Sequence, residues 1–301
     1  MSGGTYYELT VRASPETEEG IGEFLFGAGS LGLVTDEPPD RRPGVIIRAS
    51  FPASADTAAI VASLRRYLAE LAMLGLPVEA SLVEVRQLPL EDWGRSWKEH
   101  FKPLPVGKRL IIAPPWEEGP FPPNRLLLRI DPAMAFGTGH HATTRMCLEA
   151  LERLIGEWSG AAPPTVLDLG TGTGILAIAA AGLGSGSVLA LDTDPEACDA
   201  ARKNLARHPT ASRVRVVQGG IDQLAATQLF DLILANLDTK TLRPLCPTLR
   251  SRLAPRGHLV TTGIPVEDEA LVAESIHAAG LAVADRQAQE GWLCLVLQKS
   301  A

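Results

Sequence analysis

The chain has 301 residues, 46% of them hydrophobic and 21% charged, with a formal net charge of −7. That length accommodates about two domains, and the balance is globular rather than disordered. The acidic excess disfavours an extended nucleic-acid surface, which needs a basic face, and suits a basic protein partner.

The first residues, MSGGTYYELT, lack the basic-then-apolar order of a secretory leader. No apolar run reaches the ~18 residues of a membrane span. The four cysteines, Cys147, Cys198, Cys246 and Cys294, form no CxxC pair. They read as free thiols of a reducing compartment, and the chain as cytoplasmic.

Tyr6 to Arg12 alternates in strand fashion. Ser14 is the expected N-cap of a helix, with Pro15 at its first position, running to about Gly27. Leu31–Thr35 reads as a short strand, DEPPDRRPG as a proline-rich turn and Val45–Phe51 as a strand. Ala55–Leu74 has the helical period, and Val78–Leu88 alternates again. The order β-α-β-β-α-β is ferredoxin-like and defines a small α+β domain over residues 1–88. Residues 89–104 are expected to be a helical linker in which Trp93, Trp97 and Phe101 share one face. That face packs between domains or forms a hinge that touches the substrate. Residues 105–301 make the second domain, opening with strands at Lys108–Ala113 and Arg125–Ile130.

The segment DPAMAFGTGHHATT, residues 131–144, precedes an amphipathic helix over Arg145–Ile155, with Thr143 or Thr144 as its cap. His140 and His141 have no acid or cysteine at a zinc-like spacing, so no metal is expected. A histidine base is one reading of the pair. A lid over a ligand fits better, since hydroxyls and backbone N–H groups suit a carboxylate and an amine.

From Thr165 strands and helices alternate, with strands at Thr165–Leu169, Ser187–Leu191, Arg213–Val217, Phe230–Ala235 and His258–Thr262, each followed by a helical stretch. This order implies a parallel sheet covered on both faces. Leu281–Arg286 and Gly291–Leu297 then form a terminal hairpin, the ending of class I, Rossmann-like methyltransferases.

The first of these strands runs through Asp168 into Gly170, Gly172 and Gly174 at the start of a helix. Glycines there let the backbone approach a ligand, and the helix offers unpaired N–H groups. A dinucleotide site prefers GxGxxG. The spacing here, GxGxG with an acid two residues before it, resembles the methyltransferase motif. Asp192, at the end of the next strand, is placed to accept hydrogen bonds from both ribose hydroxyls of a nucleoside. Asp194 reads as a helix cap. Asp222 is either near an adenine amino group or a solvated loop acid. Asn236 ends the fourth strand, where open α/β sheets hold ligands. It is the candidate to orient an attacking amine; the alternative is a turn residue capping the next helix. The sequence Asn236-Leu237-Asp238-Thr239 lacks the stacking aromatic of NPPY, which suits a flexible aliphatic amine better than a nucleobase. Asp238 either attracts a cationic lysine or is a solvated acid at a helix start.

Together, FGTGHHATT, VLDLGTGTGILAIAAA, LILANL and the EDW…W…FKP stretch resemble the ribosomal protein L11 methyltransferase family over residues 91–297. The resemblance implies S-adenosylmethionine as cofactor, a ribosomal protein (L11-like) as partner and N-methylation of lysine and N-terminal amines. It implies that the N-terminal domain docks the substrate. Carried over residue by residue, cofactor contacts fall on Thr144, Gly170, Asp192 and Asn236, with Phe136 and Thr143 adjacent and Asp168 and Gly172 in the glycine loop. The competing readings are methylation of another protein or of RNA, a nicotinamide-dependent oxidoreductase, and a non-catalytic module.

Overall fold

The computed structural model describes residues 5–14, 17–36, 44–73, 75–78, 83–89, 101–132, 139–225 and 227–300. It divides into two compact units, residues 1–101 and 102–301.

In the first unit the elements are β1 (Thr5–Ala13), α1 (Glu18–Gly27), β2 (Gly32–Asp36), β3 (Val45–Pro52), α2 (Thr57–Met73) and β4 (Val83–Pro89). The strands order as β2-β3-β1-β4 with every neighbouring pair antiparallel, the ferredoxin-like sheet. Alternation puts Leu9 and Val11 of β1 and Ile47, Ala49 and Phe51 of β3 into a core closed by Ile21 and Leu25 of α1 and Leu64 and Leu68 of α2. Each of these fully buried Val, Leu, Ile and Phe side chains contributes roughly 1.5–3 kcal/mol. The expected Ser14 cap is displaced. α1 begins after Thr17, because Ser14 instead closes a turn: its carbonyl accepts the amides of Thr17 and Glu18, and its own amide bonds Thr17 Oγ1 at 3.1 Å. Trp93 and Trp97 of the expected linker helix lie outside the described residues.

The second unit opens with a three-stranded sheet of β5 (Leu104–Val106), β6 (Leu110–Ala113) and β7 (Leu126–Arg129). β5 was not expected, and it takes residue 104 out of the linker. Next come α3 (Ala142–Gly156), β8 (Thr165–Leu169), α4 (Ile175–Leu183), β9 (Ser187–Asp192), α5 (Pro195–Leu205) and β10 (Val214–Gln218). The chain ends with β11 (Phe230–Asn236), α6 (Thr239–Arg252), β12 (Leu253–Pro265), α7 (Glu269–Ala278), β13 (Leu281–Gln289) and β14 (Trp292–Lys299). The seven strands order as β10-β9-β8-β11-β12-β14-β13; the first five run parallel and β14 lies antiparallel to β12. This is the class I methyltransferase arrangement, in which the order reverses between β8 and β11. One expectation fails: among the described residues a 3-10 turn, Ile221–Gln223, follows β10 in place of a helix.

Two cores cover the two faces. Val166 of β8 joins α3 and α4 on one face, while Leu167 and Leu169 join α6 and α7 on the other. The strand period of two sorts them. α4 is apolar all round and almost wholly buried, so its N-terminus is fixed against the end of β8. α5 is set by local chemistry. Asp194 caps it, accepting the Glu196 amide at 2.8 Å, Pro195 holds the first helical position, and Arg202 and Lys203 complement the C-terminal dipole. The β13–β14 hairpin turns through Glu290 and Gly291, both at positive φ (52° and 81°), the signature of a type I′ turn.

Candidate active site

The parallel strands β8, β9 and β11 end at one edge of the sheet, and each delivers a piece of the site. After β8 the loop Gly170–Gly174 folds back over the next strand, its Gly170 and Thr171 amides donating to Leu191 O at 2.9 and 3.0 Å. Gly170 (φ 74°) and Gly174 (φ 82°) sit in the left-handed region, where a β-carbon is strained. Added β-carbons there would also lie 2.8 Å from Leu237 Cδ2 and 3.1 Å from Ala201 Cβ. The glycines therefore serve close packing of the loop as well as approach by a ligand.

Asp168 holds this loop from beneath. It shares a strand face with Val166 and is fully buried. Its Oδ2 accepts from Thr171 Oγ1 at 2.6 Å and from the Ala177 amide at 3.1 Å, while Oδ1 has no partner among the described residues. The carboxyl thus shapes the loop and α4 from inside. Burial, reinforced by the charge of Asp192, outweighs its hydrogen bonds and raises its pKa from 3.8 to about 7. A carboxyl whose folded value lies above its unfolded value stabilises the fold fully below about pH 4. That contribution is lost as the pH rises to about 7. Between about pH 5 and pH 8, wild-type stability should therefore fall by roughly 2–3 kcal/mol relative to Asp168→Asn, which cannot ionise. Denaturant unfolding of both proteins across that range checks it; parallel profiles contradict an elevated pKa.

Asp192 ends β9 half-buried. Its Oδ2 accepts the Gly172 amide at 2.9 Å and its Oδ1 the Asp194 amide at 3.1 Å. Each carboxylate oxygen has a second lone pair, so two further hydroxyls can be accepted. Asp222 is exposed in the 3-10 turn beyond β10.

Asn236 ends β11, and its Nδ2 donates to Thr143 Oγ1 at 3.4 Å and Thr144 Oγ1 at 3.5 Å. It is not a helix cap. Asp238 fills that role, accepting the Thr241 amide at 2.8 Å and its hydroxyl at 3.0 Å. Beside Asn236, Gly263 (φ 87°) leaves room that a side chain would take: a β-carbon there would stand 2.6 Å from Leu237 O and 3.1 Å from Asn236 Oδ1. Nothing in TTGIP singled out Gly263 before the register of β12 against β11 placed it there.

The threonines were expected to cap α3. Instead the helix starts at Ala142, and His141 is the cap, its Nδ1 accepting the Thr143 amide at 3.4 Å. Thr143 and Thr144 are thereby placed inside the first turn, buried and aimed at Asn236. Phe136 lies outside the described residues.

One further anchor escaped the sequence reading. Asn204 of α5, fully buried, accepts the Asp131 amide at 3.0 Å and donates to Thr173 O at 3.0 Å. It ties the start of the 131–144 segment to the glycine loop. An Asn on a polar-looking helix carries no local mark of that role. His208, one turn on, accepts the Arg129 amide at Nε2, 2.9 Å, while Nδ1 lies 3.0 Å from Asn204 O. Burial first, opposed by that bond, lowers its pKa and keeps the ring neutral.

The four cysteines are free and buried. Among the described residues no group of three or more His, Cys, Asp or Glu side chains has a metal-binding arrangement, and no helix is long and apolar enough to cross a membrane.

Comparison with known proteins brings in a family at this point. Residues 5–300 match the family model described as Ribosomal protein L11 methyltransferase (PrmA). The chain is 42% identical over 257 residues to the ribosomal protein L11 methyltransferase of Pelobacter propionicus, covering 85% of this chain and 82% of that protein. It is 35% identical over 318 residues to that of Pelotomaculum thermopropionicum, covering 98% and 99%. A crystal structure of a ribosomal protein L11 methylase from Lactobacillus delbrueckii subsp. bulgaricus is similar with a TM-score of 0.60 and 29% identity, over 67% of this chain and 100% of that one.

Proposed function

The chain belongs to the ribosomal protein L11 methyltransferase family, and from that membership we propose that it transfers methyl groups from S-adenosylmethionine to lysine and N-terminal amines of ribosomal protein L11. The observation that carries the reading is the meeting, at one sheet edge, of the glycine loop, Asp192 and an Asn236 held by two threonine hydroxyls. A nucleoside-bearing cofactor fits these residues. Left-handed glycines clear the loop, Asp192 keeps lone pairs for ribose hydroxyls, and Thr144 and Asn236 supply polar atoms for the amino-acid end.

When bound, the cofactor supplies an activated methyl group on a sulfonium; the protein supplies position and electrostatics. The attacking amine must be neutral. A free lysine has pKa ~10.4 and an α-amine ~7.7–8.0, and removal of water at the site lowers both. The Asn236 side-chain carbonyl accepts an amine N–H and turns the nitrogen lone pair toward the methyl group. The N-terminal unit docks the substrate, and the segment between β4 and β5 connects it to the catalytic unit. We assign the protein to the cytoplasm, which the four free thiols and a ribosomal substrate support.

The test uses purified L11. The full chain should add whole methyl groups to it, read by mass spectrometry. A fragment starting at Lys102 should still bind S-adenosylhomocysteine by calorimetry yet lose most of that activity. No methylation by the full chain overturns the function, and full-rate methylation by the fragment overturns the docking role.

A further inference from the structure

Thr143 is held from two sides. His141 Nδ1 lies 2.7 Å from Thr143 Oγ1, and Asn236 Nδ2 donates to the same oxygen at 3.4 Å. A hydroxyl has one hydrogen and two acceptor lone pairs. With Asn236 donating to that oxygen, the hydroxyl hydrogen is available to His141, which accepts it only while Nδ1 carries no proton. The polarity then runs from Asn236 through Thr143 to His141. It leaves the Asn236 carbonyl oxygen as the acceptor facing the site, beside Gly263.

We propose that His141 is a positioning residue: its neutral imidazole, acting through Thr143, sets the orientation of the Asn236 amide that aligns the substrate amine. The inference rests on the methyltransferase reading above. It gives His141 a task distinct from a proton-transfer base, because the Nδ1 lone pair is already engaged by Thr143.

The surroundings keep that ring neutral. Its edge packs against Trp292 of β14, ring centroids 5.1 Å apart at 69°. Among the described residues, the charged groups that act on it are Arg145 of α3 and Glu290 of the β13–β14 turn, which pair with each other at 2.5 Å. Arg145 also donates to His140 O. Partial burial, then the Arg145 charge, lower the pKa of His141, and Glu290 opposes them. Protonation would convert the Nδ1 acceptor to a donor, release the Thr143 amide and place a cation at a helix N-terminus, which the helix dipole disfavours. The relay is thus intact at neutral pH and lost on acidification.

Three proteins decide it: wild type, His141→Asn and His141→Ala, assayed with S-adenosylmethionine and L11 across about pH 5 to 9. Asparagine is a strong N-cap and accepts from the same donors but does not titrate. His141→Asn should retain wild-type kcat within about threefold, while His141→Ala should lower kcat about tenfold or more with a smaller change in KM. On the acid side, the wild-type kcat/KM profile should steepen beyond the single-proton slope of the substrate amine, and His141→Asn should lose that extra proton. Wild-type kcat and slope in His141→Ala would overturn the proposal. So would a His141→Asn protein as inactive as the alanine variant, since that points to a histidine base. Should His141→Ala fail to fold, the activity and slope of His141→Asn still decide. Calorimetry with S-adenosylhomocysteine separates the two readings: no binding by wild type brings down the methyltransferase assignment, whereas binding with a failed relay test brings down only the relay.

Discussion

Asn236→Ala should lower kcat for methylation of L11 by roughly 10²-fold, the penalty expected when a reacting group is misplaced by about an ångström. The side chain stands at the end of β11 with its amide nitrogen engaged by Thr143 and Thr144, so its carbonyl has a defined direction. Alanine removes the acceptor that aligns the amine and leaves two buried hydroxyls without their donor. Cofactor affinity should fall as well, by less than tenfold, since only one of several polar contacts is lost. Calorimetry with S-adenosylhomocysteine and steady-state kinetics must therefore be run together. Wild-type kcat in the variant would remove Asn236 from the chemistry. Among the described residues, no carboxylate at this edge is placed as an obligatory base. Asp168 is enclosed and engaged by the loop, and Asp192 is engaged by the Gly172 and Asp194 amides. Above the acid range the kcat/KM profile should accordingly follow the free amine of the substrate.

Asp192→Ala should raise the dissociation constant for S-adenosylhomocysteine by about 10²-fold or more. Two hydrogen bonds to a charged acceptor are each worth roughly 1.5–3 kcal/mol, and every 1.4 kcal/mol is tenfold. Loss of the Gly172 and Asp194 contacts adds to this by loosening the loop that the ligand would approach. The Asp194 contact is exposed and the Gly172 contact part-buried, so the thermal unfolding midpoint without ligand should fall only modestly. Isothermal titration reads the effect directly, and an unchanged dissociation constant would take Asp192 out of the site.

Much of this was legible before folding. The strand runs of the second unit were visible because a sheet covered on both faces needs continuous apolar segments. Boundaries drifted where cooperation mattered. β12 spans Leu253–Pro265 rather than His258–Thr262, because its register shift against β11 near Phe230 lets the chain pair earlier. β13 runs to Gln289 because the Glu290–Gly291 turn sets the register of the hairpin.

The sequence by itself determined the class of the protein. Local motifs carried it through a family resemblance: FGTGHHATT, the glycine loop between a buried strand and a helix, an acid ending the next strand and an asparagine ending the fourth are all set by neighbours along the chain. It also contained the parity that places Asp168 on the same face of β8 as Val166, since alternate residues of a strand face opposite sides. Only the tertiary structure decided what each polar group spends its hydrogen bonds on. His141 rather than a threonine caps α3, Asn204 bridges residues 131 and 173, and Asn236 meets Thr143 and Thr144 from more than ninety residues away. Those pairings join segments far apart in the chain. A hydrogen bond depends on distance and direction between atoms that only packing brings together, so no local pattern records it.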